Sequence, residues 1–145
     1  MKCLIQRVTE AAVWVAGQCV GEVAAGLLVF VAIEPKDTID TVSRMTERLV
    51  TYRVFSDGNG RMNLNVNDVD GGLLLVSQFT LAADTRKGTR PGFQTAAAPP
   101  MAEALFGELI ESVRQRHSPV ATGVFGADMQ VSLVNDGPVT FLLEV

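Results

Sequence analysis

One histidine, His117, and two cysteines, Cys3 and Cys19, are all the imidazole and thiol found in 145 residues. So few soft donors, so far apart, cannot build a metal-ligand cluster of zinc spacing. His117 follows Arg114 and Arg116 at the basic end of a helical segment, where an imidazole serves as a helix-terminal cation. No Ser-His or Cys-His pair can therefore be argued. The chain also lacks a G-x-S-x-G elbow and a G-x-x-x-x-G-K phosphate cradle. Nucleophilic and metal-dependent hydrolases of the usual kinds are weak candidates, and neither a metal nor a cofactor is expected.

Basic residues are in deficit as well. Twelve Lys and Arg against sixteen Asp and Glu leave a net charge of -4, which excludes coating nucleic acid by global attraction. Any nucleic-acid contact has to use a local patch. The longest apolar run, Leu27 to Ile33, is far short of the roughly 20 residues that span a bilayer. The opening Met1 to Ile5 breaks at Gln6-Arg7, too early for a signal-peptide core. The expectation is a cytoplasmic protein with no membrane contact, its two cysteines buried as free thiols.

Apolar material is plentiful, at 48% hydrophobic residues and a mean hydropathy of +0.25. That suffices for one core, and the length suits one domain over 1–145. Lys2 to Val8 alternates as a strand, while Ala11 to Val15 and Cys19 to Val23 flank Ala16-Gly17-Gln18 as a hairpin. Leu27 to Ile33 and Leu73 to Leu81 are apolar without alternation, which predicts strands covered on both faces.

Thr38 is placed to cap a helix running to about Tyr52, and Pro99-Pro100 opens a second that ends near Arg116. Phe55 and Met62 to Asn65 flank a turn at Asp57-Gly58-Asn59-Gly60, and Met129 to Asn135 and Val139 to Val145 read as closing strands. This order predicts an α+β single domain with an antiparallel, barrel-like sheet flanked by two amphipathic helices.

Three segments stand out against that frame. Ser77-Gln78-Phe79-Thr80 puts polar groups into an apolar strand, where burial costs roughly 1 to 3 kcal/mol for each unpaired group. Alternation sends Gln78 and Thr80 to one face and Ser77 to the other, unless the strand bulges or its end lines a cleft. The alternative is a strand end with internally satisfied hydroxyls.

Asn135-Asp136-Gly137-Pro138-Val139-Thr140 reads by itself as a hairpin turn. From Ala82 to Pro100 the chain becomes a loop far longer than the usual ~4 to 6 residues, carrying Arg86, Lys87 and Arg90. Those cations suit a solvated loop or contacts to phosphates.

Taken together, Ser77-Gln78-Phe79-Thr80-Leu81 and Asn135-Asp136-Gly137-Pro138-Val139-Thr140 resemble the two signature motifs of the D-aminoacyl-tRNA deacylases. The resemblance extends through Gln6-Arg7-Val8, Phe55-Ser56-Asp57, Met62-Asn63-Leu64-Asn65, Ala82-Ala83-Asp84-Thr85 and Ala127 to Val134. It implies cytoplasmic proofreading of aminoacyl-tRNA by an obligate homodimer with cross-subunit active sites. D-amino acids, and glycine mischarged on alanine tRNA, would be hydrolysed from the 3' end.

The resemblance assigns the reaction centre to Ser77, Gln78, Phe79 and Thr80, with Gly137 and Pro138 inserted from the other subunit to leave no room for an L side chain. It implies that Arg7 helps hold the inserted motif, which includes Asn135, that Met129 lines the amino-acid pocket, and that Pro91 and Phe93 shape the adenosine entrance. The reactive group would be the 2'-hydroxyl of the terminal adenosine, with backbone N–H groups near Phe79 and Thr80 stabilising the oxyanion. Two other readings remain open at this stage, a non-catalytic module binding an RNA end or nucleotide and a deacylase of L-aminoacyl-tRNA.

Overall fold

In the computed structural model, which describes residues 1–145, strand β1 (Lys2–Val15) organises the sheet. One edge of β1 is antiparallel to β8 (Gln130–Glu144), and the other edge is shared by β2 (Gln18–Val23) and β3 (Gly26–Ala32). Sequence alternation suggested two separate strands here. They are one, bent where its register to β8 shifts between Gln6 and Val8 and again between Val8 and Glu10. The turn into β2 uses two residues, Ala16 and Gly17, rather than three, because Val15 pairs directly with Gln18.

β3 runs parallel to β6 (Gly72–Ser77), and β6 parallel to β7 (Val120–Thr122), so the sheet is mixed and not purely antiparallel. The reason lies in the connections. Helix α1 (Ile39–Thr51) carries the chain from β3 to β6, and α2 (Pro99–Arg114) carries it from β6 to β7. A strand–helix–strand crossover returns the next strand in the same direction. The sheet nearly closes on itself: a Cβ at Gly21 of β2 would fall 2.4 Å from the Thr122 carbonyl oxygen on β7, an approach only glycine permits. A short hairpin of β4 (Phe55–Ser56) and β5 (Met62–Leu64) sits beside this barrel-like sheet.

The unalternating strands are covered on both faces, as their composition predicts. Leu27, Val29, Leu73 and Leu75 pack with both helices in the larger core, while Leu28, Leu74 and Val76 join Val8, Val13 and Val23 in a smaller one. Helix α1 begins after Thr38, whose N–H donates to Thr41 Oγ1 at 2.6 Å, and its last helical residue precedes Tyr52.

His117 is not a solvated helix-end cation. It is buried, with Nδ1 2.6 Å from Asn67 Oδ1 and Nε2 2.7 Å from the Gly71 carbonyl, so it fastens the end of α2 to the loop before β6. Only one of the two cysteines is buried. Burial pushes the Cys3 thiol up, whereas Cys19 on β2 is exposed. No helix is long and apolar enough to cross a membrane.

Candidate active site

The run Leu73 to Leu81 is not one strand. β6 ends at Ser77; the Gln78 N–H still donates to the Val31 carbonyl at 2.7 Å, and Phe79–Ala82 then winds into a 3-10 turn. Ending the strand there removes the alternation constraint, so Ser77, Gln78 and Phe79 all line one apolar cavity of about 660 Å³. Thr80 is exposed, and its hydroxyl accepts a hydrogen bond from Gln78 Nε2 at 2.5 Å. As the first residues of the turn, Phe79 and Thr80 make no backbone N–H bond outside the regular elements.

The long loop completes this cavity. Asp84 and Gly92 exchange backbone hydrogen bonds of 2.8 and 3.0 Å, and the Thr95 hydroxyl donates to the Ala82 carbonyl. That fold lays Phe93 on Phe79, with ring centroids 5.1 Å apart. Met129 lines the same cavity with Val76 and Val131. Ala96 to Pro99, Ala102 and Phe106 also line it, so the end of the loop and one face of α2 contribute to the cavity. The signal available for that lining was the run of small residues Ala96-Ala97-Ala98 at the end of an otherwise polar loop. Pro91 is exposed and does not line the cavity.

The second motif is not a hairpin. β8 passes through it without reversing: β1 advances only from Gln6 to Val8 while β8 runs from Thr140 to Asn135, so Asp136 to Val139 are looped out of the ladder. The Gly137-Pro138 peptide bond is cis. Asn135 closes the loop, its Oδ1 accepting from the Val139 N–H at 2.9 Å and its Nδ2 donating to Thr140 Oγ1 at 2.8 Å. Gln6 Nε2 also donates to Thr140 Oγ1, at 3.2 Å.

Arg7 clamps the other side. Its Nε lies 3.0 Å from Asp136 Oδ2 and donates to the Asp136 carbonyl at 3.2 Å, while a terminal nitrogen donates to the Val54 carbonyl at 2.7 Å. Arg7, Asn135, Gly137 and Pro138 thus form one cluster, and none of them lines the cavity of Ser77 to Phe79. The single chain holds the two motifs apart.

The loop cations are not equivalent. Arg86 forks onto Asp84, with Nε 2.9 Å from Oδ1 and a terminal nitrogen 2.7 Å from Oδ2. That pairing holds the Asp84 carboxyl well below the usual carboxylate range and raises the guanidinium in turn. Lys87 and Arg90 form no ion pair. With Asp84, Arg86, Gly92 and Gln94 they line a second pocket of about 450 Å³ that no hydrophobic residue enters. No three His, Cys, Asp or Glu side chains gather as a metal site would need.

Known proteins resemble this chain from end to end in sequence and fold. The chain is 60% identical over 144 residues to a D-aminoacyl-tRNA deacylase of Pseudomonas fluorescens (strain SBW25), covering 99% of each. It is 56% identical over 143 residues to that of Saccharophagus degradans, again covering 99% of each. A solved structure named c-Myc DNA Unwinding Element Binding Protein superposes with a TM-score of 0.95 at 37% identity, covering 100% of this chain and 99% of that one. Another, named "probable eukaryotic D-amino acid tRNA deacylase", shares the fold at a TM-score of 0.87 and 16% identity, covering 99% and 98%. A family model described as D-Tyr-tRNA(Tyr) deacylase matches residues 4–144, and with relatives this similar over their whole length the chain belongs to that family.

Proposed function

We propose that this protein hydrolyses the ester joining a D-amino acid to the 3' end of tRNA, and removes glycine mischarged on alanine tRNA, as a cytoplasmic proofreading enzyme. The observation that carries the reading is the separation of the two motifs: a braced Gly137-Pro138 loop stands clear of its own chain's cavity. A second copy supplies what each cavity lacks. β8 pairs only with β1, leaving its outer edge open on either side of the looped-out Asp136 to Val139, and Val134, Phe141 and Leu142 are exposed along it. An open apolar edge of that length is a natural pairing surface. In the homodimer, Gly137 and Pro138 of one subunit wall the other's cavity, leaving room for hydrogen but not for an L side chain.

Within the cavity the protein positions the substrate. Met129 contacts the amino-acid side chain, and Pro91 and Phe93 border the terminal adenosine. Lys87 and Arg90 meet phosphates, with Arg86 already engaged by Asp84. The N–H groups of Phe79 and Thr80 stabilise the developing oxyanion, and the adenosine 2'-hydroxyl supplies the reactive group.

Thr80 is ill-suited to be a nucleophile, since the amide of Gln78 donates a hydrogen bond to its oxygen and so cannot take its proton. Incubation of the purified protein with D-Tyr-tRNA, following loss of the ester, tests the activity. Turnover is expected. Binding with no ester loss at stoichiometric protein would replace the reading with a non-catalytic RNA-end module.

A further inference from the structure

We infer that Gly123, which follows β7, is a specificity-determining residue: it sets the depth of the amino-acid pocket by giving Met129 a place to retract. Gly123 does not line the cavity. Its N–H donates to the Leu75 carbonyl at 2.9 Å, which fixes its backbone to the neighbouring strand. The Met129 sulfur lies against it, and a Cβ built on Gly123 would stand 2.7 Å from Sδ, closer than any real contact of that kind.

The same Cβ would meet Val76 Cγ1 at 3.6 Å and Val13 Cγ1 at 3.7 Å, ordinary contact distances. Only Met129 has to move. It is flexible at three torsions, whereas Val13 and Val76 are held in the smaller core against which Met129 packs. The side chain is already one wall of the 660 Å³ cavity. Space for the displaced thioether is available on the cavity side, so a methyl group at Gly123 is transmitted to the substrate pocket without touching substrate.

This rests on the reading that the cavity accepts the aminoacyl end of tRNA. The test compares deacylation of D-Trp-tRNA, D-Tyr-tRNA, D-Ala-tRNA and glycyl-tRNA by the wild type, Gly123→Ala, Met129→Ala and the double variant. Gly123→Ala is expected to lower the D-Tyr to D-Ala rate ratio at least tenfold, acting on kcat/KM for the bulky substrate while glycine release persists. The double variant restores the ratio, because the side chain that had to move is gone.

Met129→Ala alone deepens the pocket and raises the relative rate for D-Trp-tRNA, an arm that stands even if Gly123→Ala does not fold. A wild type inert toward all substrates would sink the deacylase reading and this inference with it. An active wild type whose size preference none of the variants moves would overturn this inference alone.

Discussion

Replacing Arg7 by alanine tests how the Gly137-Pro138 loop is held. The side chain is 12% exposed, so its hydrogen bond to the Val54 carbonyl is shielded, whereas Asp136 is 51% exposed and its ion pair is screened by water. A shielded bond from a charged donor contributes about 1.5 to 3 kcal/mol, the screened pair at most about 1 kcal/mol. Loss of the packed aliphatic stem adds to this. Arg7→Ala should therefore destabilise by about 2 to 4 kcal/mol, mostly through Val54, read as a lower urea midpoint at fixed protein concentration.

The functional consequence is separate. With Asp136 released, the loop no longer holds one position, and the D-to-L rate ratio for matched Tyr-tRNA substrates should fall. Arg7→Lys keeps the charge but not the fork, and should recover part of the stability and little of the selectivity. An unshifted midpoint would refute the energetic reasoning. An unchanged D-to-L ratio in a clearly destabilised variant would refute the role of the clamp.

Thr80→Ala should retain substantial turnover of D-Tyr-tRNA, while tRNA ending in 2'-deoxyadenosine should be nearly inert; the opposite pattern in single-turnover assays would make Thr80 the nucleophile. Because few phosphates are engaged, log affinity for tRNA should fall shallowly with log salt, and Lys87→Ala and Arg90→Ala should each flatten the slope by about one. A steep wild-type slope would place further contacts elsewhere. The Asp84 carboxyl is held down chiefly by its hydrogen bonds from Arg86. Its folded value lies below the unfolded one, so the stabilisation is complete above about pH 4 and disappears as pH falls through the lowered value. An NMR titration should place the Asp84 midpoint below the ordinary range in the wild type and higher in Arg86→Ala, which loses the guanidinium but keeps the Arg86 backbone N–H bond to Asp84; equal midpoints would contradict the pairing.

Local physics made much of the fold readable. The Thr38 start and Tyr52 end of α1, the proline opening of α2 and the two-sided burial of β3 and β6 all follow from capping preference and apolar patterning. Direction of pairing did not follow, because an apolar run carries no mark of its neighbour's polarity. The alternation of β3, α1, β6, α2 and β7 was the available hint of parallel crossovers.

Two site features needed tertiary register. Asn135 to Pro138 has the composition of a hairpin turn, and only the pairing of β8 with β1 on both sides of it reveals a loop bulging from a continuous ladder. His117 looked like a helix-end cation until the loop carrying Asn67 and Gly71 enclosed it. The cleft residues Ser77 to Phe79 were identifiable as misplaced polarity in a strand, but the cavity is also lined by a helix face that serves the core.

The most direct measurement is the rate of ester loss from matched D-Tyr-tRNA and L-Tyr-tRNA, with glycyl-tRNA as the smallest substrate, at one concentration of the purified protein. Rapid release of D-tyrosine and glycine with L-Tyr-tRNA left intact is the predicted result. Release of the L and D esters at equal rates would contradict a pocket that judges handedness by the space beside the α-carbon.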